Sequence, residues 1–219
     1  MQTDGILFDL DGTLWDAVSE ITISWNQALE QHPGLRPPIT EDELRILMGK
    51  PMDEIADRIF PREPRRMELL AECMAVENAY LQKHGARLYP DVVDTLQALH
   101  KEYPLYIVSN CQCGYIDAFL HAHQLEGLFD GFLCFGDTFA SKGENIKTLV
   151  QRYGLQAPIY VGDTQGDKDA AAYAGVPFIY ATYGFGLVSQ FDGKIDVFGE
   201  LLPMFSRLRR CRSLTFHAQ

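Results

Sequence analysis

Short apolar runs without a polar face recur along the chain, at Ile6-Phe8, Leu105-Val108, Phe132-Phe135, Ile159-Val161 and Phe178-Tyr180. Between them the apolar positions fall at helical spacing, over Pro90 to Lys101, Ile116 to His123, Ser141 to Tyr153 and Asp167 to Ala174. Apolar strands alternating with helices predict an α/β fold whose parallel sheet is covered on both sides.

The first part of the chain breaks that rhythm. About ninety residues separate the first strand from the second, where a βαβ crossover needs only a dozen or more. The intervening pattern is helical. Thr40-Glu41-Asp42-Glu43 is a capping box, Pro51 is placed to open the next helix, and a long helix is predicted from about Pro64 to His84. Pro33-Gly34 and Pro37-Pro38 separate the first helix from the second. The expected organisation is a sheet domain of residues 1–14 and 88–219 with an all-helical insertion, residues 15–87. The chain then crosses between the two only near Leu14 to Ala17 and near Ala86 to Tyr89, a natural hinge.

In an open parallel sheet the ligand site lies beyond the carboxyl ends of the strands. Asp9 ends the first predicted strand, Ser109 and Asn110 the second, and Gly162-Asp163-Thr164 the fourth, while Lys142 opens the helix after the third. All the polar candidates therefore share one edge. Asp9 and Asp11, in "GILFDLDGTL", lie two residues apart on one side of the chain, so their negative charges crowd together unless a cation sits between them. An EF-hand loop is excluded by counting: with Gly12 at loop position six, the first and last ligand positions fall on Leu7 and Val18.

Composition narrows the functional classes. The net charge is −11 and no basic stripe accompanies it, which disfavours a nucleic-acid partner. At 219 residues, 47% of them hydrophobic and 22% charged, the chain has the make-up of a soluble globular protein with a sizeable core. No segment reaches the length of a membrane span and no basic leader precedes the first apolar run. Cys73, Cys111, Cys113, Cys134 and Cys211 lack zinc or thioredoxin-type spacing and read as free thiols of a reducing compartment. The expectation is a cytoplasmic protein.

"DLDGT", "VSN", the lysine of "SKGENI" and "VGDTQGD" together resemble the four motifs of the haloacid dehalogenase-like hydrolases, in particular phosphoglycolate phosphatase-like members with a helical cap inserted after the first motif. The resemblance covers nearly the whole chain. It implies a Rossmann-like core and a magnesium-dependent phosphatase that hydrolyses a small phosphorylated metabolite through an aspartyl-phosphate. Asp9 would be the nucleophile, and Asp11 would protonate the leaving oxygen and later take a proton from water. Magnesium would be held by Asp9, the backbone carbonyl of Asp11 and Asp163, with Asp167 bound directly or through water. Ser109, Lys142 and nearby backbone N–H groups would surround the phosphoryl oxygens, with Gly12, Thr13 and Asn110 also on the substrate and Lys50 of "MGKP" the expected cap contact to the leaving group. A sugar phosphomutase with the same core is the alternative within the family. A phospho-Asp signalling module is the alternative from another class. Asp11 argues against dehalogenases, which lack that acid/base residue.

Each site residue has a sequence competitor. Lys147 lies inside the helix that Lys142 opens, and Asp169 is about 200° from Asp167 around a helix. Asp137 belongs to a second "GDT" that has Ser141, not an acid, four residues on. Asp16 is expected to N-cap the first inserted helix, Trp25 to be core, and Arg207, Arg209, Arg210 and Arg212 to form the solvated face of a terminal helix.

Overall fold

A computed structural model of the chain describes residues 3–206. It begins with β1 (Gly5–Phe8) and a two-residue strand, β2 (Trp15–Asp16), followed by helices α1 (Val18–Leu29), α2 (Glu41–Arg45), α3 (Met52–Ile59) and α4 (Arg66–His84). The chain returns through β3 (Arg87–Leu88) and α5 (Val92–His100) to β4 (Leu105–Ser109) and α6 (Tyr115–His123). Next come β5 (Gly131–Cys134), the single turn α7 (Phe135–Thr138), α8 (Lys142–Tyr153) and β6 (Pro158–Gly162). After these come α9 (Gln165–Ala174), β7 (Phe178–Ala181), β8 (Gly193–Ile195) and a 3-10 turn at Phe198–Glu200.

The main sheet has the order β5-β4-β1-β6-β7-β8, and every neighbouring pair is parallel. The α/β expectation holds, and each of the five predicted strands is present. β1 lies between β4 and β6, with Phe8 opposite Ile107 on one side and Val161 on the other. That register brings the residues following all three strands to one edge.

Side chains alternate between the two faces of the sheet. Ile6, Phe8, Ile107, Ile159 and Val161 join one apolar cluster, which continues without a break into Trp25, Leu44, Leu70 and other side chains of α1 to α4. Leu7, Tyr106, Val108 and Tyr160 join the other, against Ile146 and Leu149 of α8. The inserted helices thus share the core of one face, with α4 packed on both α1 and α6.

The two chain crossings run side by side as the antiparallel ribbon β2-β3, Trp15 opposite Leu88 and Asp16 opposite Arg87. Asp16 differs from expectation. Ala17, without a side-chain cap bond, is the N-cap of α1, because Asp16 is held in the ribbon. Its Oδ1 accepts from the Val18 N–H at 3.2 Å, and its Oδ2 lies 2.8 Å from Arg87 and 3.6 Å from Arg45. Asp16 therefore ties the start of α1 to β3 and α2. Phe135 also differs, opening α7 instead of ending a strand.

Cys73, Cys111 and Cys134 are buried free thiols and Cys113 is an exposed one. No helix among the described residues is long and apolar enough to cross a membrane. The four C-terminal arginines and Cys211 lie outside the described residues.

Candidate active site

Two capping boxes aim the charged side chains. Ser141 caps α8 through the Glu144 N–H, with Glu144 returning the bond, and this fixes Lys142 in the first turn. Lys142 is buried, its ammonium 2.8 Å from Asp9 Oδ1 and 2.6 Å from Asp167 Oδ1. Thr164 caps α9 in the same way with Asp167 as the reciprocal partner. Asp167 Oδ2 accepts from the Thr164 N–H at 2.9 Å, the Thr164 hydroxyl at 2.7 Å and the Asp163 N–H at 3.2 Å. "GDTQGD" is thus a helix start and a carboxylate mount at once.

Asp163 is seated by the first loop and by a segment that the sequence reading did not single out. Its Oδ1 accepts from the Thr13 hydroxyl at 3.3 Å, and its Oδ2 accepts from the Phe185 N–H at 2.7 Å. Gly12 has φ +83°, and a Cβ there would stand 2.2 Å from Asp163 Oδ2. A Cβ on Gly184 would stand 2.3 Å from Asp163 Cβ. Side chains at either position would displace the carboxylate. The Gly12 N–H donates to the Trp15 carbonyl and the Thr13 N–H to that of Leu10, so both residues position Asp163 and their amides close the loop.

Asp9, Asp163 and Asp167 each offer an oxygen within 4.8 Å of the others, and all three are buried. Among the described residues one ammonium, that of Lys142, pairs with them. Burial raises Asp9 to about 7, Asp167 adding repulsion while Lys142 opposes it. Asp163 is pushed well above the carboxylate range by burial and by repulsion from Asp167 and Asp9. Asp167 stays below its ordinary value: burial works against ionisation, but Lys142 and the Thr164 bonds outweigh it. Lys142 is held charged by Asp167 and Asp9 in spite of its burial. A carboxylate-only cluster with surplus negative charge is the donor set of a hard divalent cation.

Asp11 stands apart from that cluster. Its Oδ1 accepts from Trp15 Nε1 at 2.9 Å and from the Tyr115 hydroxyl at 2.7 Å. Burial lifts it to about 6 against the pull of those two bonds. Ser109 is buried, its Oγ accepting from the Cys111 N–H at 3.3 Å. Asn110 Nδ2 donates to the Gly49 carbonyl at 2.9 Å, joining the sheet edge to the loop before α3.

A cleft between the sheet edge and the inserted helices is lined by Asp9, Asp11, Ser109 and Asn110 on one side and by Trp25, Leu44, Met48 and Glu77 on the other. Trp25 is core as expected and also part of this wall. Lys50 borders the cleft, but its ammonium is turned to Glu54 at 3.2 Å and the side chain is 45% exposed. The sequence competitors lie elsewhere. Lys147 sits 3.8 Å over the Tyr173 ring, Asp169 accepts from Gln165 on the surface, and Asp137 accepts from the Cys134 thiol.

Trp15, Tyr115, Glu77 and the Tyr183–Gly186 loop are the site residues that the sequence reading missed. The loop follows β7 at the same sheet edge and carries two glycines, so the edge rule contains the signal. Glu77 interrupts the buried stripe Leu70, Cys73, Leu81 of α4, another readable sign.

The chain matches the haloacid dehalogenase-like hydrolase family over residues 6–181. It is 34% identical to a phosphoglycolate phosphatase of Aliivibrio fischeri, over 93% of this chain and 97% of that one. It is 31% identical to one of Vibrio vulnificus, over 82% and 84%. A crystal structure of a predicted phosphoglycolate phosphatase from Haemophilus somnus superposes with a TM-score of 0.82 at 25% identity, covering 94% of this chain and 99% of that one. A sheet edge bearing this carboxylate cluster, and a match extending across both the sheet and the inserted helices, place the chain in the haloacid dehalogenase-like hydrolase family, as one of its phosphatases.

Proposed function

We propose that the protein is a magnesium-dependent phosphatase that hydrolyses a small phosphorylated metabolite through an aspartyl-phosphate on Asp9. The observation that carries this reading is the buried trio Asp9, Asp163 and Asp167 with the Lys142 ammonium paired to two of them. Asp9, the backbone carbonyl of Asp11 and Asp163 would hold the ion, with Asp167 bound directly or through water. Once bound, magnesium would neutralise the carboxylates and draw charge from the phosphoryl oxygens.

An Asp9 oxygen attacks phosphorus as the bond to the ester oxygen breaks. Asp11, whose Oδ1 is occupied by Trp15 and Tyr115, presents Oδ2 to give the leaving oxygen its proton. A value of about 6 suits a group that must donate a proton in one step and accept one from water in the next. Lys142 has three donors, two of them used, and turns the third to the phosphoryl group. The Ser109 hydroxyl and the loop after it complete the ring of donors. We place the catalytic core at residues 1–14 and 88–219, the cap at residues 15–87 gating it through the β2-β3 ribbon, and the protein in the cytoplasm.

The test is turnover of p-nitrophenyl phosphate with and without magnesium, followed by borohydride reduction and peptide mapping. Multiple turnovers that require the metal, with label at Asp9, are expected. A single stoichiometric phosphorylation would instead support the signalling alternative. Because the relatives are phosphoglycolate phosphatases, 2-phosphoglycolate is the first metabolite to assay.

A further inference from the structure

We propose that the cleft selects a leaving group that bears a hydrogen-bond donor and no carboxylate, and that Glu77 makes the selection. This rests on the phosphatase reading and adds a substrate class to it. Glu77 is 3% exposed in the middle of α4 and lines the cleft together with Asp9 and Asp11. Its Oε1 accepts from Gln112 Nε2 at 3.2 Å and its Oε2 accepts from Trp25 Nε1. Each oxygen retains acceptor capacity for one more donor.

On the described helical wall such a donor finds one buried carboxyl, Glu77, and a carboxylate finds no free counter-charge. Ile21, Leu44, Leu47, Met48, Met52 and Met74 make the rest of the helical wall apolar. The one cationic side chain in the described lining, Lys50, is paired with Glu54 at the surface. Gln112 Nε2 is already divided between Glu77 and Asn78, the latter at 3.0 Å. Burial lifts Glu77 to about 8, with Asp11 adding to the rise, so this wall disfavours negative charge, even that of its own carboxyl. A leaving group with its own carboxylate would be desolvated against apolar side chains with no counter-charge. A hydroxyl or an ammonium would be received by Glu77.

Three esters on one two-carbon frame separate these cases: 2-hydroxyethyl phosphate, phosphoethanolamine and 2-phosphoglycolate, with p-nitrophenyl phosphate as the reference for the chemistry. The wild type is expected to hydrolyse 2-hydroxyethyl phosphate with kcat/KM at least about tenfold above that for 2-phosphoglycolate, since a carboxylate desolvated against this apolar wall finds no counter-charge. Glu77→Gln keeps the shape but puts an amide donor where a carboxyl oxygen stood, so a hydroxyl loses an acceptor, a carboxylate gains a donor, and the hydroxyl-to-carboxylate ratio should fall towards one. That ratio is internal to one preparation and is insensitive to a partly folded fraction. If phosphoethanolamine is the better substrate and loses most in Glu77→Gln, the donor is an ammonium; if 2-hydroxyethyl phosphate stays ahead, it is a hydroxyl. Equal rates, a preference for 2-phosphoglycolate, or an unchanged ratio in Glu77→Gln overturns the proposal while turnover of p-nitrophenyl phosphate leaves the phosphatase reading standing. Failure to hydrolyse any of the four overturns both.

Discussion

On the sheet side of the cleft the charged groups find their partners within that side or in the ribbon beside it: Lys142 with Asp9 and Asp167, Asp163 with Thr13 and the Phe185 amide, Asp11 with Tyr115 and with Trp15 of β2. On the helical side the wall is apolar, and its one buried carboxyl among the described residues, Glu77, takes one partner from Trp25 on that side and one, Gln112, from across the cleft. Side chains locked by mutual hydrogen bonds can hold reacting atoms in place through many substrates. A wall of Met and Leu can re-pack around whatever enters. On the proposed mechanism the chemistry belongs to the rigid side and the choice of ester to the adaptable one.

The hardest test of that division is Asp9→Asn. An amide cannot attack phosphorus, so turnover of every ester should fall by at least about 10³-fold while the fold persists. Equal loss across esters is the signature of a sheet-side residue. The same carboxylate has a measurable effect on stability. Its folded value of about 7 lies above the ordinary 3.8, so the folded, metal-free protein binds the proton more tightly than the unfolded chain. Stability should then fall as pH rises from about 4 to about 7, with a slope of at most about 1.4 kcal/mol per pH unit from this group. Thermal melts in chelator should show a shallower fall in Asp9→Asn, and added magnesium should restore the wild type at the alkaline end.

The carboxylates around Asp9 should rank by their place in the cluster. Asp163→Ala removes an oxygen that Gly12, Thr13, Gly184 and Phe185 are all arranged to seat, and magnesium binding followed by calorimetry should be lost or nearly so. Asp167→Ala removes the mount of Lys142 and the reciprocal half of the capping box, a supporting loss of roughly 10–100-fold in activity or metal affinity. Asp169→Ala, on the exposed face of α9, should be close to neutral. A larger loss at Asp169 than at Asp167 would put the metal on the wrong side of that helix.

Much of this side could be read from the sequence because strand ends in a parallel sheet share an edge, and the residues there carry recognisable spacing. Lys142 is preferred to Lys147 for its place at the sheet edge, and helix geometry admits only one of Asp167 and Asp169, the motif resemblance choosing Asp167. The β2-β3 ribbon and β8 were not legible, since two or three residues cannot display a period of two. Nor was Tyr115: its contact with Asp11 spans 104 positions, and no local pattern encodes it. Asp16 was misplaced by one residue because a cap and a ribbon pair draw on the same carboxylate. The helical wall was the least legible part, since its apolar residues look like any core until the cleft is seen.

Tyr115→Phe probes the support of the proton carrier. Loss of one of the two bonds to Asp11 Oδ1 should slow turnover by about tenfold, less than any cluster carboxylate. Both bonds pull Asp11 down against burial, so without one of them its value should rise above about 6. The limb of the pH–rate profile that reports Asp11 should move to higher pH by the same sense. A slower enzyme with an unmoved limb would make Tyr115 a packing residue, consistent only with its ring contact to Trp15 at 5.5 Å.

Lys50→Ala should have the smallest effect, although Lys50 is the cap residue that the sequence points to most directly. Its ammonium is paired with Glu54 four residues on, and an exposed pair of this kind contributes only about 0.3–0.5 kcal/mol. The loop touches the sheet edge through backbone instead, the Gly49 carbonyl accepting from Asn110, and that bond survives the substitution. Rates for 2-hydroxyethyl phosphate and p-nitrophenyl phosphate should therefore change less than about twofold. The informative substrate is 2-phosphoglycolate. If Lys50 leaves Glu54 to meet an anionic leaving group, Lys50→Ala will lower that rate alone by several fold, and the helical side will prove to carry a counter-charge for carboxylates after all. If all three rates hold, the wall around Glu77 chooses the substrate without Lys50.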